Sequence, residues 1–173
     1  GNSGDIVTGT TNSSYTIFDK VPPSDFTVQD VITVGENSIA NAWNSTNSAI
    51  NINIPVSDDE SLDSGRVQII AKVANNDFEN LDSYHFFQSS DLNNSKIVSV
   101  SESLVESISG FSENDTITIS AIIYDVPGNM TIGSESNTKL VINQSIPIII
   151  NSNIESDFSD SSLAGVNNII TLL

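Results

Sequence analysis

The chain has no cysteine among its 173 residues, which excludes disulfide staples and thiolate metal centres. It has five basic residues (Lys20, Arg66, Lys72, Lys96 and Lys139) against 22 acidic ones, a formal net charge of −17. Phosphate binding needs clustered Lys and Arg, so neither nucleic acid nor an anionic membrane surface is expected as a partner. There is one histidine, His85, set between Tyr84 and Phe86 in a segment that reads as a strand. Any Ser-His-Asp relay would have to run through it, and a sheet-face histidine is the simpler reading. The sequence has no phosphate-cradling glycine loop and no His-x-x-x-His helix, so the chain is read as a non-enzyme. No apolar run approaches the ~18 residues of a membrane helix, and no membrane insertion is expected. The opening Gly1-Asn2-Ser3-Gly4-Asp5 lacks the charged and apolar regions of a secretion signal, so such a signal is expected to be absent or already removed.

What the chain does have is a hydrophobic pattern of period two, the mark of half-buried strands. Ile50, Ile52, Ile54 and Val56 fall on one face of a strand, with Asn51 and Asn53 on the other. Val67, Ile69, Ala71 and Val73 repeat the pattern, as do Ile117, Ile119, Ala121 and Ile123, and Leu140 with Ile142 closes the series. Turn clusters separate these runs at Ser57-Asp58-Asp59, Ser89-Ser90-Asp91, Ser112-Glu113-Asn114-Asp115 and Pro127-Gly128-Asn129. One short helix or turn is expected at Ser101 to Ile108. With 38% hydrophobic residues a core can form, and the pattern predicts an all-β antiparallel sandwich.

An internal repeat divides the chain. Gly9 to Pro23 (GTTNSSYTIFDKVPP) aligns without gaps on Gly133 to Pro147 (GSESNTKLVINQSIP), at an offset of 124 residues. The expected parsing is 1–22 as the last strand of a preceding domain, 23–145 as a complete domain and 146–173 as the first strands of a following one. In the last, Ile148 to Ile150 and Asn167 to Leu173 are the expected strands.

Four stretches carry a family resemblance. Val21-Pro22-Pro23-Ser24-Asp25-Phe26, Ala42-Trp43-Asn44-Ser45-Thr46-Asn47, Tyr124-Asp125-Val126-Pro127-Gly128-Asn129 and Leu140 to Pro147 are similar to bacterial and archaeal immunoglobulin-like repeats. Such repeats occur in adhesins and surface-layer proteins. The resemblance implies an immunoglobulin-like sandwich at the cell surface or outside the cell, and it says little about function. The absence of cysteine leans the same way.

In a seven-strand sandwich the loops 57–65, 88–95 and 125–129 share a pole with the incoming linker. Asp19, Asp25, Asp58, Asp59, Asp63 and Asp125 are therefore candidates to gather there. Calcium wants six to eight oxygens, so Asp19, Asp25, Asp58, Asp59 and Asp125 are the candidate Ca2+ ligands. The resemblance implies calcium at such junctions, while a solvated acidic rim accounts for the same residues. The spacing of Asp58, Asp59, Glu60 and Asp63 is not that of an EF-hand. Asn-x-Ser/Thr sequons stand at Asn12, Asn44, Asn93, Asn114, Asn129 and Asn143, a number the Asn- and Ser-rich composition accounts for by chance.

Three functions follow. The first is a structural spacer or scaffold repeat that touches neighbouring immunoglobulin-like domains. The second is a self-assembling subunit joined to identical subunits by strand donation in a filament or lattice. The third is a glycan- or protein-binding adhesion module, which needs an exposed aromatic patch. With 6% aromatic residues spread along the strands, the sequence offers little support for such a patch.

Overall fold

The alternation predicted from the sequence becomes strand pairing in a computed structural model of the chain, which describes residues 19–145 and two short strands beyond them. In chain order the strands are β1 (Val31–Gly35), β2 (Ala42–Trp43), β3 (Asn47–Val56), β4 (Arg66–Val73), β5 (Glu79–Asn80), β6 (His85–Phe86), β7 (Asn94–Ser101), β8 (Thr116–Tyr124), β9 (Met130–Ile132) and β10 (Leu140–Ile142). One sheet runs β1-β3-β7 and is antiparallel. The other runs β2-β10-β8-β4-β5, with β6 also on β4 and β9 also on β8.

Both sheets turn their apolar rows inward to a single core. From the first sheet come Ile50, Ile52, Ile54, Val98 and Val100; from the second come Val67, Ile69, Val73, Ile117, Ile119 and Leu140. All are at most 1% exposed, whereas Asn51 and Asn53 between the β3 isoleucines are half-buried. β-branched side chains dominate because a pleated surface suits their restricted rotamers. The helix expected at 101–108 is the single turn α1 (Glu102–Val105), which drops Val105 into the core.

The sheets are not purely antiparallel. β2 lies parallel to β10, and Thr27 bridges Ser134 in the same sense, so the N-terminal part of the domain runs alongside its last strands. Period-two patterning places side chains on faces and carries no signal for strand direction.

Of the residues expected to precede the domain, 1–18 lie outside the described residues, and Asp19 to Pro22 form no strand. Beyond the domain, β11 (Ile154–Ser156) pairs antiparallel with β12 (Ile170–Leu172), which falls within the stretch 167–173 expected as a strand. The stretch 148–150 lies outside the described residues.

The two faces of a strand should respond differently to truncation. Ile119→Ala, at a fully buried position, is expected to cost about 2–5 kcal/mol. Ile97→Ala, at a position 67% exposed, should change stability by less than about 0.5 kcal/mol. Urea unfolding of the two variants checks the assignment of faces.

Candidate functional site

The loops expected to share a pole do meet. The Asn93 amide donates to Ser57 O at 3.0 Å, and the Val126 amide donates to Ser61 O at 3.0 Å, which joins all three loops. The incoming chain arrives at the same place: Asn129 Nδ2 donates to Asp19 O at 3.3 Å, and the Thr131 hydroxyl donates to Pro23 O.

Within this entry pole the acidic side chains mostly serve their own loops. Asp125 is fully buried, and its Oδ1 accepts the amides of Gly128 at 2.7 Å and Asn129 at 2.6 Å. Its Oδ2 accepts Asn129 Nδ2 at 2.7 Å. This aspartate holds closed the turn that Gly128, at φ +102°, makes possible. Asp59 Oδ1 caps a 3-10 turn through the Ser61 amide at 2.9 Å, and Asp19 Oδ1 takes the Val21 amide at 2.8 Å. Asp25 and Asp58 are exposed. Asp25 lines a shallow cavity of about 240 Å³ with Pro23, Phe26, Ser57 and Leu62. Among the described residues no three metal-ligating side chains converge, so the five aspartates do not form one oxygen cage in this arrangement.

The sequons are placed differently from one another. Asn93 and Asn114 are exposed and adopt left-handed φ of 55° and 69° on turns, and Asn143 is exposed. Asn44 uses its amide on Asn37 O at 2.8 Å, and Asn129 uses its amide on Asp125 and Asp19. Asn12 lies outside the described residues.

The opposite, exit pole is built around Trp43, which is fully buried. Its indole N–H donates to Glu106 Oε1 at 3.2 Å, and Gln144 Nε2 donates to the same oxygen. The Gln144 amide donates to Glu113 Oε2 at 2.8 Å, and the Asn143 amide donates to Trp43 O at 2.7 Å. The outgoing chain is thereby tied to the loop before β8. The Gln144 amide bonded to it holds the Glu113 carboxyl below its ordinary value, with the Ser145 hydroxyl adding to the effect.

A third feature has no counterpart in the sequence reading. On the outer face of the second sheet, Arg66 stands opposite both Tyr124 and Phe86, and Tyr124 stands opposite Met130. The Arg66 guanidinium lies 4.6 Å from the Tyr124 ring centre and 4.8 Å from that of Tyr84, and the two rings meet edge to face at 5.8 Å. Gly65 lets β4 approach β8 here, since a Cβ on it would sit 2.6 Å from Tyr124 O. In the next row Ile122 faces Ile132. Phe86 is 62% exposed, Ile132 59%, Met130 52% and Tyr84 46%, so the face is an open apolar patch around a cation. The alternating residues could have been read from Arg66 and Tyr124, but Tyr84 and Phe86 come from a loop and a two-residue strand that carry no periodicity. His85, between them, bonds Asp82 at 3.0 Å.

No protein-family model matches the chain, and no curated protein matches it.

Two predictions follow from the poles. Asp125→Ala removes three accepted hydrogen bonds at a buried site. It should cost about 2–3 kcal/mol or more, equally in calcium and in chelator, by thermal unfolding in the two buffers. At the exit pole, Glu113 has a lowered folded-state pKa, so its contribution is fully present above the unfolded carboxyl value. It is lost as pH falls through the folded value. Amide exchange at Gln144, followed against pH, should lose protection in that acid range in the wild type. Glu113→Gln should show weak protection at every pH.

Proposed function

We propose that residues 19–145 form an immunoglobulin-like structural repeat of an extracellular, tandemly repeated surface protein, and act as a spacer that transmits tension. One observation carries the reading: the chain is tied at opposite poles, at Asp19 to Pro23 near one end of β8 and at Asn143 to Gln144 near the other. The nine residues of β8 separate these poles by roughly 30 Å. Successive units joined this way extend an array, whereas units with adjacent termini would fold it back.

Other features agree. Three strands facing a sheet centred on β4, β8 and β10 is a division that suits an immunoglobulin-like sandwich. The repeat at an offset of 124 residues suits tandem units. A net charge of −17 keeps a crowded surface protein soluble. Asp19, Asp59 and Asp125, three of the five candidate calcium ligands, hold their own loops, and the spacer reading does not depend on calcium.

Tension on the termini has a defined point of action. The segment around Phe26 to Val28 runs parallel to β9–β10, through Ser134 N to Phe26 O at 2.8 Å and Val28 N to Ser134 O at 3.1 Å. Further along, Ser136 Oγ donates to Gln29 O at 2.6 Å, and Val141 N donates to Asn41 O at 2.9 Å. Opposite pulls on parallel neighbours slide them past each other, so these bonds resist together rather than opening one at a time. The strand-donation reading turns on residues 1–22, most of which lie outside the described residues.

Single-molecule pulling on the whole chain, held at its two ends, tests the proposal. The expected trace shows one cooperative release of about 40 nm, the length of the unfolded domain. Val28→Pro, which removes the N–H donated to Ser134 O, should lower the release force. Gradual lengthening without such a step would sink the spacer reading.

A further inference from the structure

We propose that consecutive units meet at a junction with no free linker residue, where the stretch 143–147 is held at once by the exit pole of one unit and the entry pole of the next. This rests on the tandem-spacer reading and adds what each pole binds: the neighbouring unit, through the chain that joins them.

The internal repeat makes the two poles comparable. At an offset of 124 residues, Asp19 occupies the place of Asn143, Lys20 that of Gln144 and Pro23 that of Pro147. The same stretch is thus seen twice, once entering a unit and once leaving it. On leaving, the Asn143 amide donates to Trp43 O at 2.7 Å and the Gln144 amide to Glu113 Oε2 at 2.8 Å, while Gln144 Nε2 donates to Glu106. On entering, Asp19 O accepts Asn129 Nδ2 at 3.3 Å, and Pro23 O accepts the Thr131 hydroxyl. The exit grip reaches Gln144, and the entry grip begins at the position of Asn143. The two grips overlap.

Overlap is possible because the poles use different groups. The exit pole takes donors from the stretch, and the entry pole takes backbone carbonyls. A residue has one backbone donor and one acceptor, so position 19 or 143 can serve both units at once. Its N–H faces the unit behind and its C=O the unit ahead. At position 23 or 147 both copies have proline, which lacks the N–H but keeps the carbonyl that the entry pole uses. Only the amide at 21 and 145 is used differently, on Asp19 in one copy and on Glu113 in the other.

The exit pole also has room for a neighbour. Ile39, 59% exposed, borders a hollow lined by Asn44, Thr46, Asn143 and Ser145. The turn 125–129 carries Val126, 50% exposed, and touches Asp19 through Asn129. Placing position 19 on position 143 brings that turn to the hollow. Val126 and Ile39 then fall on the two sides of one joint, and their burial adds to the hydrogen bonds.

Backbone 15N relaxation tests both grips in the full chain. Asp19 to Val21 and Asn143 to Ser145 should show order parameters near about 0.85, as in β8; values below about 0.6 in either stretch overturn the proposal. A two-unit chain, residues 1–147 followed directly by 24–173, tests the joint itself. Its units should tumble as one elongated body, with a shared correlation time longer than that of the single chain. Gly-Ser-Gly-Ser inserted after Ser145 of the first unit should shorten that time in both units. Two units that tumble as freely without the insertion as with it overturn the proposal. The pulling experiment uses a single unit, so a loose joint leaves the spacer reading standing.

Discussion

The antiparallel ladder between β4 and β8 is the contact on which the other features depend. It joins eight residue pairs from Arg66–Tyr124 to Val73–Ile117. Its inner row supplies a third of the buried core, and its outer row ends in the Arg66–Tyr124 pair. Because side chains alternate with a period of two, a slip of one residue would turn Val67, Ile69 and Ala71 outward and bury Arg66. Burial of the inner row therefore sets the register, and the register in turn presents the guanidinium between its rings. The chemistry of the outer face is a consequence of how the core packs.

The same ladder separates the two ends of the domain. Where it finishes, Asp125 closes a turn against Asn129, and Asn129 reaches on to Asp19. Where it begins, the loop before β8 receives Gln144 through Glu113, while Glu106 serves both Gln144 and the Trp43 indole. Each pole uses a polar side chain to fasten the connecting chain to a loop that the core has already placed. Fastening of this kind fixes the direction in which the chain enters and leaves the domain.

Much of the all-β fold was legible. Ile50 to Val56, Val67 to Val73 and Ile117 to Ile123 advertise strands because alternation reports directly which side of a sheet is dry. The loops at 57–65, 88–95 and 125–129 share a pole because consecutive strands reverse direction, and their hydrogen bonds join them. The roles of the acidic residues were less legible. Asp125 reads equally well as a ligand and as a loop cap, since both need a carboxylate beside a glycine turn; three donors from its own loop show the cap. Tyr84 and Phe86 were hidden for another reason. They lie beyond any periodic run, and their value comes from standing across the sheet from Arg66.

The sequence by itself determined the class of structure, the inward rows, the turns between them and the excess of negative charge. These are properties of neighbouring residues, and local patterning records them. Only the tertiary structure decided the parallel run of the first strands along the last, the service of Asp125 to its own loop, and the cation held between two tyrosines. Each of these depends on residues far apart in the chain, brought together by burial of a shared core, and no local pattern encodes the partner across that distance.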